Sequence, residues 1–301
     1  MTMKRLFILV ILLAMMPFAG INAQDARNRV TSTIIADALA TLPAETPEAY
    51  NKTMDELART GAEGMETICA MLKPAAEGVN NSAIEYAIHG VASYVSENHL
   101  TLQNGVRAGL KNAINKATNK PIQAFLMTAL EVCATAEDAE FYAEKLSDEY
   151  LANFAARSLA TVKGTEPVVK SLIANQADNG LSKKLLAQIA SYKNIPAVEP
   201  TLLDWLSSAD EAETAQINLA LASCGGADAV KVLAVAAADA NYAFETTDAY
   251  GAYTRILNRM VEENPALAAK EAKKLMKQDA ANVRLEGLDI LIQINGNKTT
   301  P

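Results

Sequence analysis

The sequence predicts an all-α chain built from stacked helix pairs, and three observations carry that reading. Apolar residues recur every three or four positions, alanine is abundant, and turn signals return at a near-constant interval. Positions i, i+3, i+4 and i+7 share one face of a helix, whereas a half-buried strand alternates residue by residue. No stretch of this chain alternates convincingly. Half of its 301 residues are hydrophobic, with 14 Gly and 10 Pro, a globular balance that excludes collagen-like and disordered chains.

Taken in order, the chain opens on Lys4 and Arg5, followed by an unbroken apolar run from Leu6 to Phe18 and a small residue at Ala23. A positive start, a short apolar stretch and a small residue before the cut are the features of a secretory signal peptide. Residues 1–23 are therefore expected to be a removable leader, since a bilayer span needs about twenty apolar residues. The remaining chain is expected to be exported, periplasmic or extracellular, with no later membrane span. A helical repeat domain is expected over 24–294, then a polar tail over 295–301.

Within that domain the apolar stripes sit at helical spacing. Cys69 follows Met65 and Ile68 and precedes Leu72. Cys133 completes Leu126, Ala129 and Leu130, and Cys224 completes Ile217, Ala220 and Leu221. An oxidising compartment permits disulfides, yet each cysteine reads as a small core residue instead. Further stripes are Leu151, Phe154, Ala155, Leu159, Val162 and then Leu181, Leu185, Ile189, Tyr192. Trp205 reads as a core anchor between helices.

Turn signals punctuate the stripes at Gly61, Gly78, Gly164, Gly225-Gly226 and Gly296, and at Asn119, Asn194 and Asn264 close before a proline. Four of the turns, at Ala134, Gly164, Asn194 and Gly225, lie 30, 30 and 31 residues apart. Two helices and two short loops fill that interval. One pair cannot bury its own apolar face, so neighbours must stack. With Ala155-Ala156-Arg157-Ser158-Leu159-Ala160, these turns resemble the HEAT-like (armadillo-type) helical repeats. That resemblance covers Leu126 to about Ala238 and implies an α-α superhelix; at the same interval about seven helix pairs would fit the chain after the leader, and the alternative is an irregular helical bundle. The leader with Asp25 to Ala40 is also similar to secreted bacterial proteins in which helical repeats precede a sugar-hydrolase jelly roll. No such β-rich segment stands in the 301 residues, so that chemistry is not carried over.

Few residues point to catalysis. There is no nucleophile elbow, His-Glu-x-x-His, phosphate loop or Cys-x-x-Cys, and two His with three Cys leave little for a metal site built on those ligands; no cofactor is expected. His89 follows Glu85 by four residues and reads as an ordinary helix pair rather than a base and its orienter. His99 reads as a helix end. The acid pairs Glu137-Asp138, Asp148-Glu149, Asp210-Glu211 and Glu262-Glu263 read as helix-start residues and solvated charge rather than an acid/base couple. No enzyme is expected.

One stretch breaks the rhythm. Asp239 to Tyr253 holds Tyr242, Phe244, Tyr250 and Tyr253 among Asp, Asn, Thr and Glu. Aromatic faces beside polar groups suit a sugar ring or a protein partner, so these four are the candidate contacts. The formal charge of −8 becomes −10 when Lys4 and Arg5 leave with the leader. Such a chain suits neither nucleic acid nor an anionic surface. The expected function is an exported, non-enzymatic scaffold whose concave surface binds another exported protein. The alternatives are a glycan-binding module or the helical accessory part of a sugar hydrolase.

Overall fold

The computed structural model describes residues 29–297, and among them are seventeen α-helices and no strand. The all-α prediction holds. The leader expected over 1–23 lies outside the described residues, as do 298–301. The described chain forms two compact units that divide between Ala113 and Ile114.

In the first unit, α1 (Thr31–Thr41), α2 (Pro47–Ala58), α3 (Gly61–Cys69) and α4 (Ser82–Asn98) each pack against the other three. That is the contact pattern of a bundle rather than of a repeat. Thr46 caps α2 by accepting from the Ala49 N–H at 3.2 Å, with Pro47 in the first turn. Gly61, at φ +62°, turns the chain from α2 into α3. Ile35, Met54, Leu57, Met65 and Ile88 are fully buried and form the core. Next, α5 (Leu100–Lys116) approaches α3 so closely that a Cβ on Gly109 would lie 2.6 Å from Met65 Cβ. Only glycine permits that approach.

The second unit is ordered differently. Its helices are α6 (Lys120–Cys133), α7 (Ala139–Ala143), α8 (Ala152–Thr161), α9 (Glu166–Ala174), α10 (Gln176–Asn179) and α11 (Lys183–Ala190). They continue with α12 (Glu199–Leu206), α13 (Glu211–Cys224), α14 (Ala227–Asp239), α15 (Ala249–Glu263), α16 (Pro265–Leu275) and α17 (Ala281–Asn297). The series α6, α8, α11, α13, α15 and α17 forms a ladder in which each helix packs on the next.

Hydrogen bonds spanning about one interval of sequence tie the rungs. Glu131 accepts from Arg157 at 2.9 Å, Ser158 at 3.1 Å and Thr161 at 3.0 Å. The buried Lys193 ammonium donates to the Val162 carbonyl at 2.6 Å. Ser223 donates to the Ser191 carbonyl at 2.7 Å, and Cys224 Sγ lies 3.2 Å from the Lys193 carbonyl. Buried carbonyls at helix ends need such partners, because the last turn has no intrahelical donor for them.

All three cysteines are buried and free, as their stripes predict. Trp205 is buried. Of the four regularly spaced turns only Gly164, at φ +82°, is left-handed; Gly225 ends α13 in an extended conformation. Gly296, read as a turn, lies inside α17, which runs three residues past Ile294. One glycine costs a helix only about 1 kcal/mol and does not end it. Tyr192 departs from its expected stripe and is 71% exposed. The helix stops at Ala190, so the spacing that aligns Leu185 and Ile189 no longer holds two residues later. Leu186, on the adjacent flank, takes the buried place.

At the start of α14 the N-cap residue is Gly226, which has no side chain to offer. Glu199, at the start of α12, supplies the cap, accepting the Gly226 and Ala229 N–H groups at 2.8 Å each. A carboxylate there also meets the positive end of the helix dipole. Glu199→Ala is expected to destabilise the second unit by about 1–2 kcal/mol, read from urea unfolding. An unchanged midpoint would show that solvent caps the helix equally well.

Candidate functional site

The aromatic stretch resolves into a loop, residues 240–248, between α14 and α15. It begins with a helix-ending motif in which the Tyr242 N–H donates to the Ala237 carbonyl at 2.8 Å and the Asn241 N–H to Ala238 at 2.9 Å. Three non-glycine residues adopt left-handed backbone: Asn241 at φ +52°, Tyr242 at +54° and Asp248 at +49°. Such geometry costs an L-residue on the order of 1 kcal/mol each. The loop is held against that cost by a dense polar net.

Glu245 is its centre. Its carboxylate accepts from the Thr247 N–H at 2.6 Å, the Thr247 hydroxyl at 2.7 Å and the Ala249 N–H at 2.8 Å. Partial burial acts to raise its pKa, but those three hydrogen bonds prevail and hold it below the ordinary value. The buried Asn218 of α13 donates to the Thr247 carbonyl at 3.0 Å, and Thr246 bonds to Glu211.

The four candidate aromatics separate into three situations. Tyr242 and Tyr250, both half-buried, meet edge to face with centroids 5.7 Å apart. Phe244 stands 93% exposed at the loop tip. Tyr253 does not reach the surface: it is buried, and its hydroxyl donates to Glu271 at 3.0 Å. It lies on α15 three residues before Ile256 and seven before Met260, so it belongs to the core stripe rather than to the loop.

The remaining candidates lie outside that loop. His99 follows the last residue of α4 and stacks on Tyr94 at 4.0 Å. Burial lowers the His89 pKa, opposed by the charge of Glu85. Burial pushes the Cys69 thiol up to about 12 and raises that of Cys224, so neither favours a thiolate. Asp138 accepts the Thr135 N–H at 3.0 Å, Asp210 forms a capping box with Glu213, and Asp148 accepts from the Leu151 N–H at 3.1 Å. Glu262 and Glu263 differ from that pattern: they close α15, where Glu263 pairs with Arg259. Among the described residues no group of three His, Cys, Asp or Glu could hold a metal, and no helix is long and apolar enough to cross a membrane.

No protein-family model and no curated protein matches the chain.

A second surface, absent from the sequence reading, lies along the ladder. Helices α6 and α8 flank a cleft of about 580 Å³ lined by Thr128, Val132, Thr135, Arg157, Thr161 and Lys163. Helices α8 and α11 flank another of about 460 Å³, lined by Asn153, Arg157, Ala160, Thr161, Gln188 and Tyr192. Arg157 and Thr161 line both, so the two clefts adjoin. The Arg157–Glu131 ion pair, at 2.9 Å, leaves no bare charge in the dividing wall. Exposed Val132 and Tyr192 supply apolar and aromatic surface on either side. Nothing in the sequence could pair them, because the residues that form each cleft come from helices about thirty positions apart.

Proposed function

We propose that this protein is an exported, non-enzymatic helical-repeat scaffold that binds another exported protein. The second unit would act as a solenoid resembling HEAT-like repeats, with α6, α8 and α11 contributing its concave binding surface. The observation that carries the reading is the pair of adjoining clefts with Tyr192 exposed between helix ends. An amphipathic aromatic ring on a rigid rim is the side chain most often found anchoring a protein contact. The charge of −10 after leader removal, from −8 less Lys4 and Arg5, favours a neutral or basic partner whose association weakens with salt.

The test is capture from the native exported fraction at low and high salt, with the Val132→Ser/Tyr192→Ala variant as comparison. The variant is expected to lose at least about tenfold in retention while keeping its melting temperature, since both side chains are solvent-facing. Retention equal to wild type would remove this surface from consideration. A second reading rests on Phe244, held nearly bare on a loop pinned by Glu245. There the ligand would be a glycan stacking on Phe244 and the Tyr242–Tyr250 pair, and Phe244→Ala would abolish glycan retention without touching protein capture.

A further inference from the structure

The last helix is apolar on two opposite sides. Val283, Gly287, Ile290 and Ile294 of α17 are buried, and the helix packs on α15 and α16. The opposite side carries Leu285, Leu288 and Ile292, which are 64%, 42% and 59% exposed. An amphipathic surface helix shows one apolar stripe and a polar remainder. The next helix of the ladder inward behaves differently. Packed between α13 and α17, α15 buries Ala252 and Ile256 on one flank and Leu257 and Val261 on the other. The second apolar side of α17 is thus surface of the kind that a further helix covers.

The residues beside that stripe say which helix fits. Numbered as a heptad with Leu285 at position a, the exposed side reads Ala281 (d), Leu285 (a), Leu288 (d), Ile292 (a) and Asn295 (d). The four buried residues fall on c and f, pointing the other way. The spacing is that of a coiled-coil seam, and Leu288 at d with β-branched Ile292 at a is the combination that favours a pair of parallel strands, Leu285 being the other a residue. A g residue in a parallel pair meets the partner's e residue five positions further on. Here g is Arg284 and that e is Asp289, both exposed and of opposite sign. By two-fold symmetry the contact forms twice. An antiparallel pair centred on the same seam would instead set each flank beside its own copy, bringing Asp289 toward Asp289 and Arg284 toward Leu291.

We propose that α17 is a self-association helix: two copies of this chain pair their last helices in parallel through the Leu285, Leu288 and Ile292 seam, with reciprocal Arg284–Asp289 ion pairs. The seam spans about two heptads and is smaller than a standard interface, so the dimer is weak and reversible, with a dissociation constant on the order of 10–100 µM. The inference stands apart from the cleft surface and does not depend on it.

Sedimentation equilibrium of the purified protein over a rising concentration series tests it. The mass is expected to climb from one chain to two. Leu288→Glu should keep a single-chain mass throughout, with an unchanged far-UV spectrum. Arg284→Asp or Asp289→Arg alone should weaken association about tenfold by placing like charges together, and the Arg284→Asp/Asp289→Arg double exchange should restore it. Single-chain mass for the wild type at about 1 mM overturns the proposal, even if α17 then binds a helix of some other protein. So does an assembly indifferent to Leu288→Glu, or a double exchange that fails to rescue.

Discussion

Replacing Gly109 by valine is expected to lower the stability of the first unit by about 2–4 kcal/mol. The Cβ would stand 2.6 Å from Met65 Cβ and 2.7 Å from the Ala62 carbonyl oxygen. Neither atom can step aside by a rotamer change, because one is the first side-chain carbon and the other is backbone. Helices α3 and α5 must therefore separate, and the fully buried Met65 and Leu110 lose packing with them. Valine is a better helix former than glycine by a few tenths of a kcal/mol, which offsets only a small part. Gly296→Ala supplies the contrast, since a Cβ there meets nothing within 4 Å. It should leave the midpoint unchanged or raise it slightly. Urea unfolding followed by far-UV circular dichroism reads both. A Gly109→Val protein with the wild-type midpoint would mean that α3 and α5 do not approach so closely in solution.

What could be read from the sequence divides along a physical line. Helical periodicity is a property of one element, so the all-α class, the buried cysteines and the burial of Leu151, Ala155 and Leu159 were legible. The turns at Ala134, Gly164, Asn194 and Gly225 were legible too, because they interrupt that periodicity. The same signal misled where an element ends, as at Tyr192 beyond Ala190. The same periodicity marks Tyr253 as core, through its spacing to Ile256 and Met260. Properties that need two elements were not legible. The clefts beside Arg157 join residues from neighbouring rungs, and the bundle of α1 to α4 has no interval to detect. The Glu199 cap on α14 also lies outside any local motif, since it replaces a missing side chain from about thirty residues away.

Tyr253→Phe should cost the second unit about 1.5–3 kcal/mol near neutral pH, the range for a hydrogen bond to a charged group. The hydroxyl donates to Glu271 at 3.0 Å, in a place where both residues are almost wholly buried. Lys274 holds the same carboxylate at 2.8 Å, so the truncated site keeps its ion pair but loses a donor inside the protein. The cost should also depend on pH. Burial first, then the charge and hydrogen bond of Glu271, raise the Tyr253 pKa well above its ordinary value of 10.0. Unfolded tyrosine ionises near pH 10 while folded Tyr253 stays protonated. Its contribution is therefore complete below pH 10 and is lost as pH rises above it toward the folded value. Phenylalanine has no proton to lose, so the gap between wild type and variant should narrow from pH 8 to pH 11. Tyr142, raised chiefly by its own burial, gives wild type and variant the same alkaline slope and drops out of the difference. Unfolding midpoints of the two proteins at pH 8 and pH 11 measure the change directly. A gap of equal size at both would show that the hydroxyl does not meet Glu271 in the folded protein.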